Sequence, residues 1–458
     1  MKKEANTNHN YLHNHIPELK EKALSTSIKE GSAEAVSSRI ANNYITPFAL
    51  LLNAQAIHIG LLNAISGLFA PLAQLFGSRL MEKHPRKNIV TRFVFLQAIT
   101  WIPIALVSYL YWKGIFQNSL LYITIALYTL FVVFANISYP PWFSWMGDIV
   151  PENSRGKYFA KRNSITEIVG IITILICAFA LDAFKTRGLA LLGFSILFLF
   201  ASLFKLVSYG FLKKQYSPGL KIDDGYYFSF FSFLKRHDNF GKFAIYNGVF
   251  YFAIMVASPF FAVYMLKTLN FDYAKFIAIS ISSSVFYLLF QPVIGKFSDK
   301  YGNKKLLIIG NIFFALTPIF WIFSRNFIYL LIIPQLISGL ANAAYTIAFT
   351  NFTYSSVKKP EHRGLCVSYA NILIGVGTFV GSILGGLILS KFNISLASSF
   401  FILFGIASFL RILAGIIFLP MIKDEKIKFK KLPPLKFSFF HPVRTVNAEI
   451  RWFRAAVH

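Results

Sequence analysis

Long apolar runs, interrupted at near-regular intervals by short polar stretches, set the pattern of this 458-residue chain. A helix needs about 20 apolar residues to cross the hydrocarbon core of a bilayer. Runs of that length fall near 56–78, 89–112, 118–147, 163–184, 187–212, 243–268, 273–297, 304–325, 327–355, 366–390 and 394–420. A further span is expected over 33–54, although Arg39, Asn42 and Asn43 weaken its hydropathy. The pattern predicts an all-α integral membrane protein with twelve transmembrane helices. The expected organisation is an N-terminal tail over 1–32, a six-helix bundle over 33–212, a linker over 213–242, a second six-helix bundle over 243–420 and a basic tail over 421–458.

Composition agrees: 55% of residues are hydrophobic and 14% charged, too little charge to cover a soluble surface of this size. The net charge of +27 has two physical readings, nucleic acid or membrane topology. Placement favours topology, because the basic residues sit in short clusters between apolar runs. Counted from the N-terminus, the even-numbered loops with the linker carry 22 Lys and Arg, and the odd-numbered loops carry 7. Lys and Arg collect on the cytoplasmic side, so both tails and the linker are expected there, in the plasma (cytoplasmic) membrane, with no nucleic-acid partner. That alternation needs an even number of spans and so supports the weak first one. Cys177 and Cys366 fall at different depths, about 20 Å apart at 1.5 Å per residue, and no disulfide is expected.

The two halves repeat. PENSRGKYFAKRN after the fourth span answers KPEHRGLCVSYAN after the tenth, with Arg155-Gly156 matching Arg363-Gly364. ASLFKLVS in the sixth span answers ASFLRILA in the twelfth, pairing Lys205 with Arg411, and Thr46-Pro47-Phe48 answers Ser258-Pro259-Phe260. The loop after the eighth span reads GKFSDKYGNKK, with Gly295, Asp299, Gly302, Lys304 and Lys305. With this loop the chain resembles the major facilitator superfamily, whose loops after helices 2 and 8 carry G-x-x-x-D-x-x-G-x-[RK]-[RK]. The first-half loop, GSRLMEKHPRK, keeps Gly77, Arg86 and Lys87 but has Met81 in the acidic place and His84 in that of the second glycine. The resemblance implies two pseudo-symmetric six-helix bundles and transport of a small organic solute by alternating access. It also implies a cytoplasmic gate built from Gly77, Arg86, Lys87, Arg155, Gly156, Gly295, Asp299, Gly302, Lys304, Lys305, Arg363 and Gly364. Asp299 is expected to meet Lys161 and Arg162 at the start of the fifth span when the cytoplasmic side closes.

The resemblance implies that spans 1, 4, 7 and 10 line the cavity. Polar and aromatic residues recur on them at helical spacing: Arg39 and Asn43; Asn136, Tyr139 and Trp142; Asn247 and Tyr251; Asn342, Tyr345 and Thr346. These either contact substrate or join helix to helix by hydrogen bonds. Gly377, Gly381 and Gly385 share one face of the eleventh span and should admit a close neighbour. Pro140-Pro141 should kink the fourth span. Lys205 and Arg411 are expected to extend along their helices to the basic interface, the alternative being ion pairs within each half. No carboxylate was placed at mid-depth on a cavity helix, which leaves a coupling ion open. No nucleotide-binding, metalloprotease, thiol-redox or hydrolase motif is present, so no catalytic residue, metal or cofactor is expected. The partners expected are the lipid bilayer and the solute, with the chain a monomer. A membrane-embedded lipid-modifying transferase and a non-transporting sensor are the alternative readings.

The topology has a direct check. In a variant lacking Cys177 and Cys366, a cysteine at position 113 should react with an impermeant maleimide only from outside, and one at 305 only from inside; labelling of both from one side would reject the plan.

Overall fold

The computed structural model describes residues 2–150, 155–218, 230–236, 238–357, 360–391 and 396–423. Within these, side chains are described from residue 18, except at 155–157, 160, 292, 296, 299, 300, 354, 355, 360–364, 396 and 397. The first half comprises α1 (Lys2–Leu51), α2 (Ala56–Leu80), α3 (Arg86–Trp112), α4 (Gln117–Ile149), α5 (Arg155–Thr186) and α6 (Ala190–Lys214). A short α7 (Phe230–Leu234) precedes α8 (Asn239–Met255) and α9 (Phe260–Val263), which together cross once. The second half continues with α10 (Tyr273–Tyr301), α11 (Asn303–Phe323), α12 (Phe327–Ser356), α13 (Pro360–Lys391) and α14 (Leu396–Phe418). Among the described residues, eleven helical stretches are long and apolar enough to cross a membrane, and they coincide with the eleven apolar runs.

α1 is not among those eleven, yet it lies inside the first half. Ile40, Ala41, Tyr44 and Phe48 have at most 1% of their surface exposed. The helix continues without a break through residues 2–32, where a separate tail was expected. What makes its polar content tolerable is pairing. Glu30 meets Arg162 of α5 at 3.2 Å, Glu34 meets Lys205 of α6, and Arg39 meets Glu167 of α5. Ser208 of α6 donates to Glu30 at 3.0 Å. Burial pushes the Glu30 carboxyl above its ordinary range, while Arg162 pulls it back. α1 and α5 run parallel, and each arginine crosses the other helix where there is no side chain. A Cβ on Gly31 would come within 2.5 Å of Arg162, and one on Gly170 within 2.7 Å of Arg39.

Lys205 therefore does not reach along its helix to the interface; it turns inward to Glu34 and is 2% exposed. Arg411, also 2% exposed, turns inward for a different reason. Pro259 lacks the N–H that a continuous helix would need, and α8 stops at Met255. Ala257 N then bonds Ile254 O instead of the carbonyl of Ala253. The Arg411 guanidinium donates to the carbonyls of Ala253 (3.4 Å), Ile254 (3.0 Å) and, on α11, Phe314 (2.7 Å). A cation thus sits at the C-terminus of α8, where the helix dipole favours it. Ala253 O has lost its i+4 donor and Phe314 O has none because Pro318 lacks an N–H, while Ile254 O keeps that of Ser258.

The loops between α2 and α3 and between α10 and α11 define one face of the molecule, called here the basic face. At the opposite face one core is shared by both halves: Phe48, Trp101, Phe194 and Phe198 from the first, Phe260, Tyr264, Tyr273 and Phe404 from the second. Toward the basic face the buried residues fall into separate cores, one built on the second half and two on the first. The seam between halves is α2 on α13, where Gly60 lies on Ser382, Gly67 on Thr378 and Gly386 on Ile57. The expected glycine stripe of α13 packs on α8: methyl groups at 377, 381 and 385 would overlap the carbonyls of Gly248, Phe252 and Val256. α4 continues as one helix through Pro140 and Pro141, and Cys177 and Cys366 are free and buried.

Removing Glu34's charge leaves the buried ammonium of Lys205 without its carboxylate. Glu34→Gln should cost about 3 kcal/mol of stability, and the double variant Glu34→Gln/Lys205→Met should recover most of it. Thermal unfolding in detergent measures both; a Glu34→Gln protein as stable as the parent would contradict the pairing.

Candidate functional site

The polar residues singled out on α1, α4, α8 and α12 fall into two groups, one in each half. In the first half, Asn43 donates to the backbone oxygen of Arg39 at 2.8 Å, and the Arg39–Glu167 pair is about one-third exposed. Gln74 of α2 donates to Asn136 Oδ1 at 2.9 Å. Tyr139 is 52% exposed and stacks between Trp142 and Phe143 at 6.3 and 6.2 Å. The Arg162 guanidinium lies over the Trp142 ring at 4.6 Å, linking α4 to the charge ladder of α1 and α5.

In the second half, Tyr345 donates to Asn247 Oδ1 at 2.5 Å, and Asn247 Nδ2 donates to Phe243 O at 2.8 Å. Asn247 has no exposed surface, so its amide is occupied in joining α8 to α12. Tyr251 meets Tyr345 edge to face at 5.8 Å, and Tyr345 also packs on Phe250 and Phe349. Asn342 is partly exposed and donates to Ser338 O at 2.8 Å, and Thr346 is exposed. Asn247, Tyr251 and Tyr345 thus meet, as do Arg39 with Asn43 and Tyr139 with Trp142, each group within its own half.

The loop residues at the basic face hold each half together. Arg86 is buried and pairs with Asp148 of α4 at 2.6 Å; it also donates to Ser144 Oγ at 3.0 Å and to Pro218 O at 3.1 Å. Lys87 donates to Gln215 O at 2.9 Å, and Gly77 presses on the backbone of Ile137. In the other half Gly302 has φ +91°, which L side chains rarely adopt, and it links α10 directly to α11. His84, at the matching place, has no such φ; the first-half loop closes through turns over 81–84. Ser298 donates to Asn303 Oδ1 at 2.6 Å, and Asn351 of α12 donates to both at 3.2 and 3.0 Å. Each loop is therefore anchored on a helix of its own half, by Ser144 and Asp148 of α4 or by Asn351 of α12. Lys305 lies over the Tyr301 ring at 5.9 Å, Lys304 reaches Pro420 O at 3.5 Å, and a Cβ on Gly295 would meet Ile347 at 4.0 Å. Arg155, Gly156, Asp299, Arg363 and Gly364 lie in helices, but beyond their backbone they fall outside the described residues. Arg162, expected as a partner of Asp299, is committed to Glu30.

Among the described residues, the hydrogen bonds between the halves lie at the opposite face. The Asp182 carboxylate of α5 accepts from Tyr273 N at 2.9 Å and Ala274 N at 2.8 Å, the first N–H groups of α10. Lys267 donates to Ala54 O at 2.9 Å, and Lys185 lies over the Tyr273 ring at 5.3 Å.

The sequence profile of the Major Facilitator Superfamily matches residues 35–225 and 243–455, one repeat on each half. The chain belongs to the major facilitator superfamily. This facilitator is 31% identical over 147 residues to "Vacuolar basic amino acid transporter 1" of Saccharomyces cerevisiae, a stretch covering 32% of this chain and 24% of that protein. It is 31% identical over 161 residues to "Multi-drug resistance efflux pump PmrA" of Streptococcus pneumoniae, 34% of this chain and 39% of that one. The chain thus aligns with only about a quarter to two-fifths of the length of these relatives. Its fold matches the crystal structure of the nucleoside transporter NupG with a TM-score of 0.67 at 14% identity, over 90% of this chain and all of that one.

Sequence reasoning missed the partners: Glu167 for Arg39, Gln74 for Asn136, and Ser298, Asn303 and Asn351 around the second loop. Opposite charges 132 and 128 residues apart on two spans, Glu30 with Arg162 and Arg39 with Glu167, were the available signal.

Tyr345→Phe leaves the Oδ1 of Asn247 buried and unpaired. It should lower stability by about 1–3 kcal/mol, whereas Thr346→Val, at an exposed position, should change it by less than about 0.5 kcal/mol. Equal melting temperatures for the two variants would contradict the buried bond.

Proposed function

We propose that this facilitator carries a small organic solute across the plasma (cytoplasmic) membrane by alternating access, as a monomer with both termini in the cytoplasm. In this reading the basic face is cytoplasmic, which the 22-to-7 bias in Lys and Arg supports. One observation carries the mechanism. Among the described residues, the halves share a core and hydrogen bonds at the outer face, while their cores are separate toward the cytoplasm. That asymmetry is what an inward-facing state requires.

The outer closure is also of a kind that can be undone. The Asp182 carboxylate supplies the N-terminal N–H groups of α10 with acceptors, a charge-dipole contact between halves. Asp272 already caps the third N–H of the same turn, so α10 keeps part of its cap when Asp182 withdraws. Water can then satisfy what is exposed. Contacts made in one state and lost in the other are what bias such an equilibrium.

The surface offered to a solute mixes aromatic faces with amides: Tyr139 on α4, Tyr251 on α8, Asn342 and Thr346 on α12, and the partly exposed Arg39–Glu167 pair on α1 and α5. Aromatic faces stack on flat organic groups, and amides supply both donors and acceptors. Membership of a transporter family favours this reading over a membrane-embedded enzyme. Asn247, with no exposed surface, serves by positioning Tyr345 rather than by touching solute.

In sealed proteoliposomes screened with a panel of organic solutes, the parent should move at least one. Asn342→Ala and Tyr251→Ala should lose most of that flux with melting temperature unchanged, and Phe349→Ala should lose less. Normal flux in both folded variants would reject this lining.

A further inference from the structure

On the outer surface of the second half, away from the space between the halves, α11 and α14 leave a groove of about 610 Å³. Its size is that of a ligand-holding cleft. Ile308, Ile312, Ala315 and Leu316 form one wall, and Ile412, Ile416 and Leu419 the other. Ile312 and Ile416 are 51% and 66% exposed, so the groove opens to the side of the bundle rather than into it. The floor is Gly415 and Asn311, and the Asn311 amide is turned inward, donating to Arg411 O at 3.1 Å and to Tyr246 at 3.4 Å. What the groove presents along its length is hydrocarbon.

Its basic-face end differs. Lys304 stands at the mouth, its ammonium 3.5 Å from Pro420 O, so that it reaches from the start of α11 to the end of the facing wall. Lys305 follows it in the chain, and Lys423 lies three residues beyond Pro420. From Lys304 to Leu316 the groove rises about 18 Å along α11 at 1.5 Å per residue. That is little more than half of a hydrocarbon core of about 30 Å, the depth of one leaflet. Apolar walls one leaflet deep, with an ammonium at the headgroup level, complement a molecule that has a fatty chain and an anionic head.

We infer that this groove binds one acyl chain of an anionic phospholipid of the cytoplasmic leaflet, with its phosphate on Lys304. The occupant follows from the charge at the mouth, since a purely apolar slot would take a neutral lipid equally well. The cytoplasmic leaflet is also the one that carries anionic lipid. Because Asn311 holds both the floor of the groove and the backbone of Arg411, an occupying chain would brace the contact between α11 and α14. It would act on the scaffold, not on the solute pathway.

The test uses the purified full-length chain in detergent, titrated with phosphatidylglycerol or phosphatidylcholine of identical chains. Native mass spectrometry reads bound lipid, and thermal unfolding reads stabilisation. Phosphatidylglycerol should bind more tightly and raise the melting temperature more. Lys304→Gln should weaken it by about fivefold, the effect of one basic residue at an anionic surface, while Lys304→Arg should preserve the preference. Ile312→Trp, which fills the groove, should weaken both lipids, and Lys83→Gln, in an exposed loop of the other half, should alter neither. Equal binding of the two lipids by the parent would overturn the inference, as would an intact preference in Lys304→Gln or parental binding by Ile312→Trp.

Discussion

Charge cancellation around α1 is the interaction on which this structure depends. A charged side chain at the centre of a membrane helix costs about 2.5–3.5 kcal/mol on an insertion scale, and α1 carries Glu34 and Arg39 within its span and Glu30 at its edge. Each meets an opposite charge, on α5 or α6. The helix is therefore specified by its neighbours more than by its own hydropathy. Without it the first half would have five spans, its match to the second half would fail, and the basic loops would no longer fall on one side.

The two halves solve the same problem with different chemistry. Lys205 and Arg411 occupy matching places in the repeat. In the first half the cation finds a carboxylate; in the second it finds the carbonyls of Ala253 and Ile254 at the end of α8 and of Phe314 on α11. Pro47, the counterpart of Pro259, leaves α1 running on to Leu51. In the first half the Glu34 carboxylate holds the cation that backbone carbonyls hold in the second. The loops at the basic face differ in the same way: an Arg86–Asp148 pair in one half, a hydrogen-bonded knot of Ser298, Asn303 and Asn351 in the other. Both tie each half to itself.

What the sequence made legible follows from which features are local. Span length, the excess of Lys and Arg in alternate loops and the repeat needed only counting, and the glycine stripe at 377, 381 and 385 declared close packing because nothing else explains that spacing. Partner choice is not local. Nothing in the neighbourhood of Asn247 says that its amide will be used up by Tyr345, or that the nearby Asn342 stays partly exposed. Lys205 was expected to extend to the interface, with an ion pair inside its half as the alternative; its acid lies on α1, 171 residues away. The role of Asp182 as a cap on α10 appears only when the halves are brought together.

The central claim is that the halves pivot as bodies around a closure held at the outer face by Asp182. Spin-label pairs at positions 83 and 305 on the basic face, and at 113 and 325 on the opposite face, measure both openings by pulsed electron resonance. Replacing Asp182 by Asn weakens a charge-dipole contact of about 1–2 kcal/mol, which amounts to a population shift of about five- to thirtyfold. The account predicts that the 113–325 distance lengthens while the 83–305 distance shortens, in the same fraction of molecules. Distances unchanged at both faces, or movement at one face without the reciprocal movement at the other, would contradict it.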